Sequence, residues 1–206
     1  MKLFRGAKGK LVRKLGINIF DTDRYDKVLE RRPTPPGQHG STGRRPKHSE
    51  YGKQLLEKQK LKFAHGITER QFRNIFIKAS KMKGAPGVNL MQSLERRLDS
   101  VIFRSGFANS RPQARQMVNH GHFLLNDKKA NIPSMTIKDG DKVTVHKRAC
   151  SSKLVQECAQ ATESRLKMPW LDIDSGNQTI VFVRTPKREE IPILIKEQLI
   201  VELYSR

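Results

Sequence analysis

Cysteine is scarce, with only Cys150 and Cys158 in 206 residues, separated by seven others. That spacing lies outside the short pairings of structural zinc sites, and His146, four residues before Cys150, adds one scattered donor rather than a site. The sequence predicts no metal, no other cofactor and no disulfide framework, only reduced, incidental thiols. Long apolar runs are missing too. None approaches the roughly 18 consecutive residues of a membrane span, and the opening Met1-Lys2-Leu3-Phe4-Arg5-Gly6 is not followed by the apolar stretch of a secretory signal. A cytoplasmic protein with no membrane partner is expected. Aromatic residues make up 6% of the chain, and 36% hydrophobic residues permit only modest cores.

The most informative shortage is of acid. Against 41 Lys and Arg stand 20 Asp and Glu, a net charge of +21, and the imbalance is segregated. Residues 153–206 carry 8 basic and 8 acidic side chains, whereas residues 1–152 carry 33 and 12. An ordinary soluble surface mixes the two signs. A concentrated cationic field instead neutralises phosphates and gains counterion-release free energy, so nucleic acid is the leading partner. Nothing points to catalysis on a small-molecule substrate: His39, His48 and His65 sit among basic or glycine residues, with no nucleophile–base–acid set and no phosphate-cradling glycine loop ahead of a helix.

Residues 1–48 show no sustained periodicity and hold Pro33, Pro35, Pro36 and Pro46, with Pro36-Gly37-Gln38-His39-Gly40 at the centre of the proline-rich stretch. They are read as an extended basic arm, disordered until bound. Helix signals follow. Ser49 can cap a helix whose Tyr51, Leu55 and Leu56 face inward while Lys53, Lys58, Lys60 and Lys62 face water or phosphate. Thr68-Glu69-Arg70-Gln71 matches a capping box, and Phe72, Ile75, Phe76 and Ala79 mark one buried face behind it. Gly84-Ala85-Pro86-Gly87 then stops that helix.

From Asn89 a stripe of Met91, Leu94, Leu98, Val101 and Ile102 predicts one helix running to Gly106. Ser110 opens a short helix on which Arg111, Arg115 and Asn119 lie within roughly 80° of one another, away from buried Ala114 and Met117. His122–Asn126 reads as a strand entering the Asn126-Asp127-Lys128-Lys129 turn, and Lys142–Lys147 alternates at period two. A helix is expected from 153 to about Lys167, then strands near Trp170–Ile173 and Thr179–Arg184, then a docking helix over Lys196–Tyr204. The fold class is α+β: a basic arm (1–48), a small helical domain (49–92, completed by 187–206), and a domain at 93–186 in which helices pack on a small antiparallel sheet.

Seven segments, in order along nearly the whole chain, resemble the bacterial small-subunit ribosomal protein S-four family. They are Pro36-Gly37-Gln38-His39-Gly40, Ser49-Glu50-Tyr51-Gly52, Glu57-Lys58-Gln59-Lys60, Glu69-Arg70-Gln71-Phe72-Arg73, Leu94-Glu95-Arg96-Arg97-Leu98-Asp99, Gln113-Ala114-Arg115-Gln116 and Ile200-Val201-Glu202-Leu203-Tyr204-Ser205. The resemblance implies a structural rRNA-binding protein of the small ribosomal subunit. It would be a primary assembly binder of the 5′ domain of 16S rRNA, near the place where mRNA enters, sharing an interface with ribosomal protein S-five and influencing translational accuracy. It also implies that residues 93 to about 155 form the RNA-binding module named after this family, with Arg111, Arg115 and Lys128 on RNA. Some family members bind zinc through an N-terminal cysteine cluster; this arm has no cysteine, so no metal is expected.

The candidate RNA-binding set is Gln38, His39, Arg44, Arg45, Lys53, Lys58, Lys60, Arg70, Arg73, Arg111, Arg115, Gln116, Asn119 and Lys128, and the candidate protein-interface set is Leu199, Ile200, Leu203 and Tyr204. Two other functions compete with this reading. A pseudouridine-synthase-like RNA-modifying enzyme would use Arg97-Leu98-Asp99, but inside an amphipathic helix Asp99 reads as a solvated carboxylate. A stand-alone ribosome-rescue or stress factor would need little beyond residues 93–155, whereas this chain matches the family at both ends as well.

Overall fold

The computed structural model describes residues 6–40, 49–147, 168–174, 176–193 and 195–205. Arg44, Arg45, Cys150, Cys158 and the helix expected from 153 to Lys167 lie outside them. The chain divides into two compact units, one formed by Met1–Val88 with Ile193–Arg206 and the other by Asn89–Pro192.

The first unit is helical. Residues expected to be extended instead form α1 (Lys8–Leu15) and α2 (Asp23–Arg31). The sequence of α1 is strongly basic, and only Leu11, Val12 and Leu15 are apolar enough to bury. They find partners elsewhere: with Ile19 and Ala64, Leu11 and Leu15 form a small cluster against which Phe63, Leu56 and Phe20 pack. This tertiary apolar contact is what makes a short, weakly periodic segment helical. Gly16, at φ 72°, ends α1 in the left-handed region that a side chain would resist.

Helix α3 (Glu50–Ala64) is capped by Ser49, whose hydroxyl accepts from the Gly52 amide. Tyr51, expected to face inward, is instead 54% exposed, and Gln54, Leu61 and Ala64 supply the buried face. Helix α4 (Glu69–Ser80) begins with the expected capping box between Thr68 and Gln71 and buries Phe72, Phe76 and Ala79. The C-terminal helix, α8 (Glu197–Tyr204), returns to pack on α3. Fully buried Ile200 anchors it, and the Tyr204 ring stacks 4.6 Å from Phe76. Gln54 donates to Glu202, and the Lys196 amide to Glu57, so the two chain ends are joined by polar bonds as well.

The second unit places α5 (Pro86–Glu95, from Asn89 onward), α6 (Leu98–Arg104) and α7 (Arg111–Asn119) with one antiparallel sheet. Its strands β1 (Phe123–Leu125), β2 (Lys128–Ala130), β3 (Lys142–Val145), β4 (Leu171–Asp174) and β5 (Thr179–Phe182) run in the order β2-β1-β3-β5-β4. The β1–β2 turn is Asn126-Asp127, both at positive φ, the conformation that suits a two-residue hairpin and these residue types. Trp170, Phe107, Phe123, Phe182 and Leu98 fill the core.

The single helix expected from 89 to 106 is broken at Arg96 and Arg97. The loop after β2 intrudes there: Leu98 and Asp99 donate to Met135 and Pro133, Ile137 donates to Arg96, and Arg97 bridges to Thr136. The apolar stripe continues unbroken across the gap, so nothing in its periodicity marks the break.

Candidate nucleic-acid interface

On α3 and α4 the lysines and arginines part company. Lys58 and Lys62 both reach Glu69, at 2.8 and 3.1 Å, Lys60 reaches Glu57, and Lys53 reaches Glu50 at 2.6 Å. Lys58 and Lys60 keep only 12% and 13% side-chain exposure, so they do not project toward water or phosphate as their helix position suggested. Burial raises the Glu69 pKa, but hydrogen bonds from Lys58, Tyr204 and Lys62 outweigh it and hold the carboxyl below its ordinary range. The Tyr204 hydroxyl, desolvated and donating to Glu69 at 2.9 Å, is pushed far up. Arg70 and Arg73 differ. Together with Asn74, Ile77 and Lys81 they occupy roughly 100° of α4, all exposed, on the side away from Phe72, Phe76 and Ala79. Lys81 was missed because it lies just past the helix end.

In the second unit four arginines converge on two carboxylates. Arg97 grips Asp99 with two bonds of 3.0 and 2.8 Å, and Arg115 adds another at 2.7 Å. Arg104 grips Glu95 with bonds of 3.1 and 3.0 Å, while Arg111 approaches Glu95 at 3.5 Å and lies 4.5 Å over the Phe103 ring. Asp99 is 2% exposed, so it is not the solvated helix carboxylate the sequence suggested, and Arg111 is buried at 6%. Arg111 and Arg115 therefore do not make the outward basic face drawn from the helical wheel. A wheel gives relative angles, not the direction of the core, and the partner acids lie on other elements.

What α7 does present is Pro112, Gln116 and Asn119, spanning roughly 60°, all exposed. Lys128 and Lys129 are exposed on β2. Lys129 runs along Gly121, where an added Cβ would sit 2.5 Å from its Cε, so the glycine makes room for a lysine stem beside the end of α7. Close to this edge are His120 and His122, 5.9 Å apart in an edge-on pair. Burial, then the neighbouring His120 and His146, keep His122 below its ordinary pKa.

Of the arm residues, Gln38 and His39 are exposed on a short turn, Gln38–Gly40. Gly37 holds φ at 110°, and a Cβ on Gly40 would collide with the Pro35 carbonyl. At the C-terminus the candidate interface residues divide. Ile200 is fully buried and Tyr204 is bound to Glu69 and stacked on α4, so both serve packing within the unit. Leu199 and Leu203 are half-buried, and Leu199 lines a shallow groove with Lys196, Glu197, Gln198 and Glu202. Among the described residues no group of three or more His, Cys, Asp or Glu could hold a metal ion, and no helix is long and apolar enough to cross a membrane.

Residues 4–95 match the family model for the ribosomal protein S4/S9 N-terminal domain, and residues 96–143 match that for the S4 domain. Small ribosomal subunit protein uS4 of Borrelia duttonii is 47% identical over 201 residues, covering 97% of this chain and 96% of the relative. The uS4 protein of Borrelia hermsii is 48% identical with the same coverage, and that of Chlorobium phaeovibrioides is 46% identical over the full length of both. The match runs through both units and both chain ends: the chain belongs to the uS4 family, structural, non-enzymatic proteins that bind ribosomal RNA within the cytoplasmic small ribosomal subunit.

Proposed function

We propose that this protein is a primary binder of the 5′ domain of 16S rRNA, seated at a multi-helix junction early in assembly. The observation that supports it most is the pair of exposed polar and basic surfaces, one on each unit: Arg70, Arg73 and Lys81 on α4, and Gln116, Asn119, Lys128 and Lys129 beside α7. A fold that carries one such surface on each unit can contact two separate stretches of RNA, as binding at a junction requires. Folded RNA offers phosphates and 2′-hydroxyls rather than a readable major groove, and lysines, arginines and amides suit those groups. In this reading Gln38, His39, Arg44 and Arg45 join the contact from the arm. Arg111 and Arg115 act behind the surface, holding α7 on its buried carboxylates.

The C-terminal part serves protein contact. Leu199 and Leu203 meet ribosomal protein S-five, next to the place where mRNA enters the subunit, and through that interface the protein bears on accuracy. The test is direct. The full chain is bound to transcribed 5′-domain RNA and to a length-matched RNA from another domain, with nuclease footprints on each, in the presence and absence of S-five. Tight, junction-centred protection on the 5′ domain alone is expected, and equal affinity for both RNAs would overturn the assignment.

A further inference from the structure

The arm contains a feature that the RNA surfaces on α4 and α7 do not account for. Helices α1 and α2 lie side by side, and a Cβ placed on Gly9 would meet Val28 at 3.7 Å, an ordinary van der Waals contact. Between them opens a cleft of about 670 Å³ walled by Lys10 and Arg13 from α1 and by Arg24, Lys27, Arg31 and Arg32 at and just beyond α2. Six cations and no carboxylate line it.

This is a sorted arrangement. On α2, Arg24, Lys27, Val28 and Arg31 occupy roughly 100° of the helix, whereas Asp23, Asp26 and Glu30 occupy a separate arc of roughly 60°. Asp26 is turned to Asn18, which donates to it at 2.8 Å. None of the six cleft cations forms an ion pair among the described residues, in contrast to Lys58, Lys60, Arg97, Arg104 and Arg115. Arg13 is fixed without being neutralised, since it donates to the carbonyls of Thr34 and Pro35 at 2.9 and 3.2 Å. Like charges gathered in so small a space repel one another, and a dense anion relieves that repulsion when it binds.

We propose that the α1–α2 cleft is a binding site for a phosphoanhydride chain, as in linear polyphosphate or the triphosphate of a nucleotide. A single RNA strand separates its phosphates by a whole nucleotide and brings few of them into this volume. A P–O–P chain carries charge at every repeat and matches six cations more closely. The lining, with Gly9 and Val28 as its uncharged members, offers no aromatic ring for a base and no acceptor side chain for a ribose hydroxyl. Recognition is of the phosphate chain alone.

The test is calorimetric titration of the full-length protein with inorganic tripolyphosphate, orthophosphate and a short single-stranded RNA at fixed ionic strength. Tripolyphosphate should bind at least about tenfold more tightly than either of the others, because charge-assisted contacts add along the chain. The triple variant Arg24→Ala/Lys27→Ala/Arg31→Ala should lose about tenfold or more of that affinity, while Arg70→Ala/Arg73→Ala/Lys81→Ala, which removes the same charge from α4, should stay within about twofold. Circular dichroism of both variants verifies that the helices persist. Equal losses in the two variants would mean diffuse electrostatic attraction and overturn the site. So would single-stranded RNA binding as tightly as tripolyphosphate and losing that affinity in the Arg24/Lys27/Arg31 variant but not in the α4 variant, which would make the cleft a reader of RNA backbone. Binding of the α4 variant to 5′-domain RNA, measured separately, tests the RNA assignment and leaves this one unaffected.

Discussion

The α1–α2 cleft and the α5–α7 cluster are both rich in arginine, yet they treat that residue in opposite ways. In the cleft the cations stand without an ion-paired acid and no acid lines it; in the cluster four guanidiniums are held on Glu95 and Asp99, mostly out of solvent. A basic composition therefore conceals two functions, one directed at anions outside the fold and one at carboxylates within it. Net charge counts both alike, and burial separates them.

The sharpest way to break this contrast is to remove a buried acid. Asp99→Ala strands Arg97 and Arg115 beside no counter-charge, and a loss of about 3–5 kcal/mol in urea unfolding is expected. A loss below 1 kcal/mol would mean that these arginines are solvated and free to meet RNA. Next in size, Ile200→Ala opens a hole under α8 and should cost about 2–4 kcal/mol while leaving RNA affinity unchanged. Affinity falling in step with stability would place α8 in the RNA site.

On the exposed side, Arg70→Ala/Arg73→Ala/Lys81→Ala should shift stability by less than about 0.5 kcal/mol. For the intact protein the slope of log K against log salt should be at least about 5 in magnitude, and the triple variant should reduce it by roughly 3. An unchanged slope would remove α4 from the interface.

A single hydrogen bond, between Tyr204 and Glu69, gives the narrowest of these tests. Tyr204→Phe removes the hydroxyl that donates to Glu69 and should cost about 1–2 kcal/mol at neutral pH. Because the Glu69 pKa is depressed in the folded state, its contribution is fully present above the unfolded value of about 4.3 and is lost as pH falls through the folded value. A thermal-melting series from pH 7 to pH 3 should therefore show a steeper acid loss for the native protein than for Glu69→Gln. Parallel curves would show that the carboxylate does not stabilise the helical unit.

What could be read in advance was whatever depends on neighbours along the chain. Ser49, Thr68 and Ser110 cap their helices through hydroxyls three residues from the amides they serve, and Asn126-Asp127 closes its hairpin for equally local reasons. The α+β architecture followed from such signals. Helix α1 escaped notice because its apolar residues make sense only with Ala64 and Phe63 beside them. The break at Arg97 escaped for a similar cause, since the backbone that interrupts the helix arrives from residues 133–137. In the candidate site, Gln116, Asn119 and Lys128 are exposed as expected, but the side chains of Arg111 and Arg115 turn toward acids that a single helical wheel cannot place.

Because α8 packs on α3, the first unit is assembled from the two ends of the chain, and this sets an order of events during synthesis. Roughly 130 residues separate the end of α3 from the start of α8. At about 5–20 residues per second, the surface of α3 that Ile200 will cover stays open for something like ten seconds after α3 is made. The contiguous second unit, from Asn89 to Pro192, is complete before the last helix exists. The newborn protein therefore has its sheet domain finished while its helical unit still waits for the C-terminus, and throughout that interval the unclosed groove on α3 is the part most exposed to premature association.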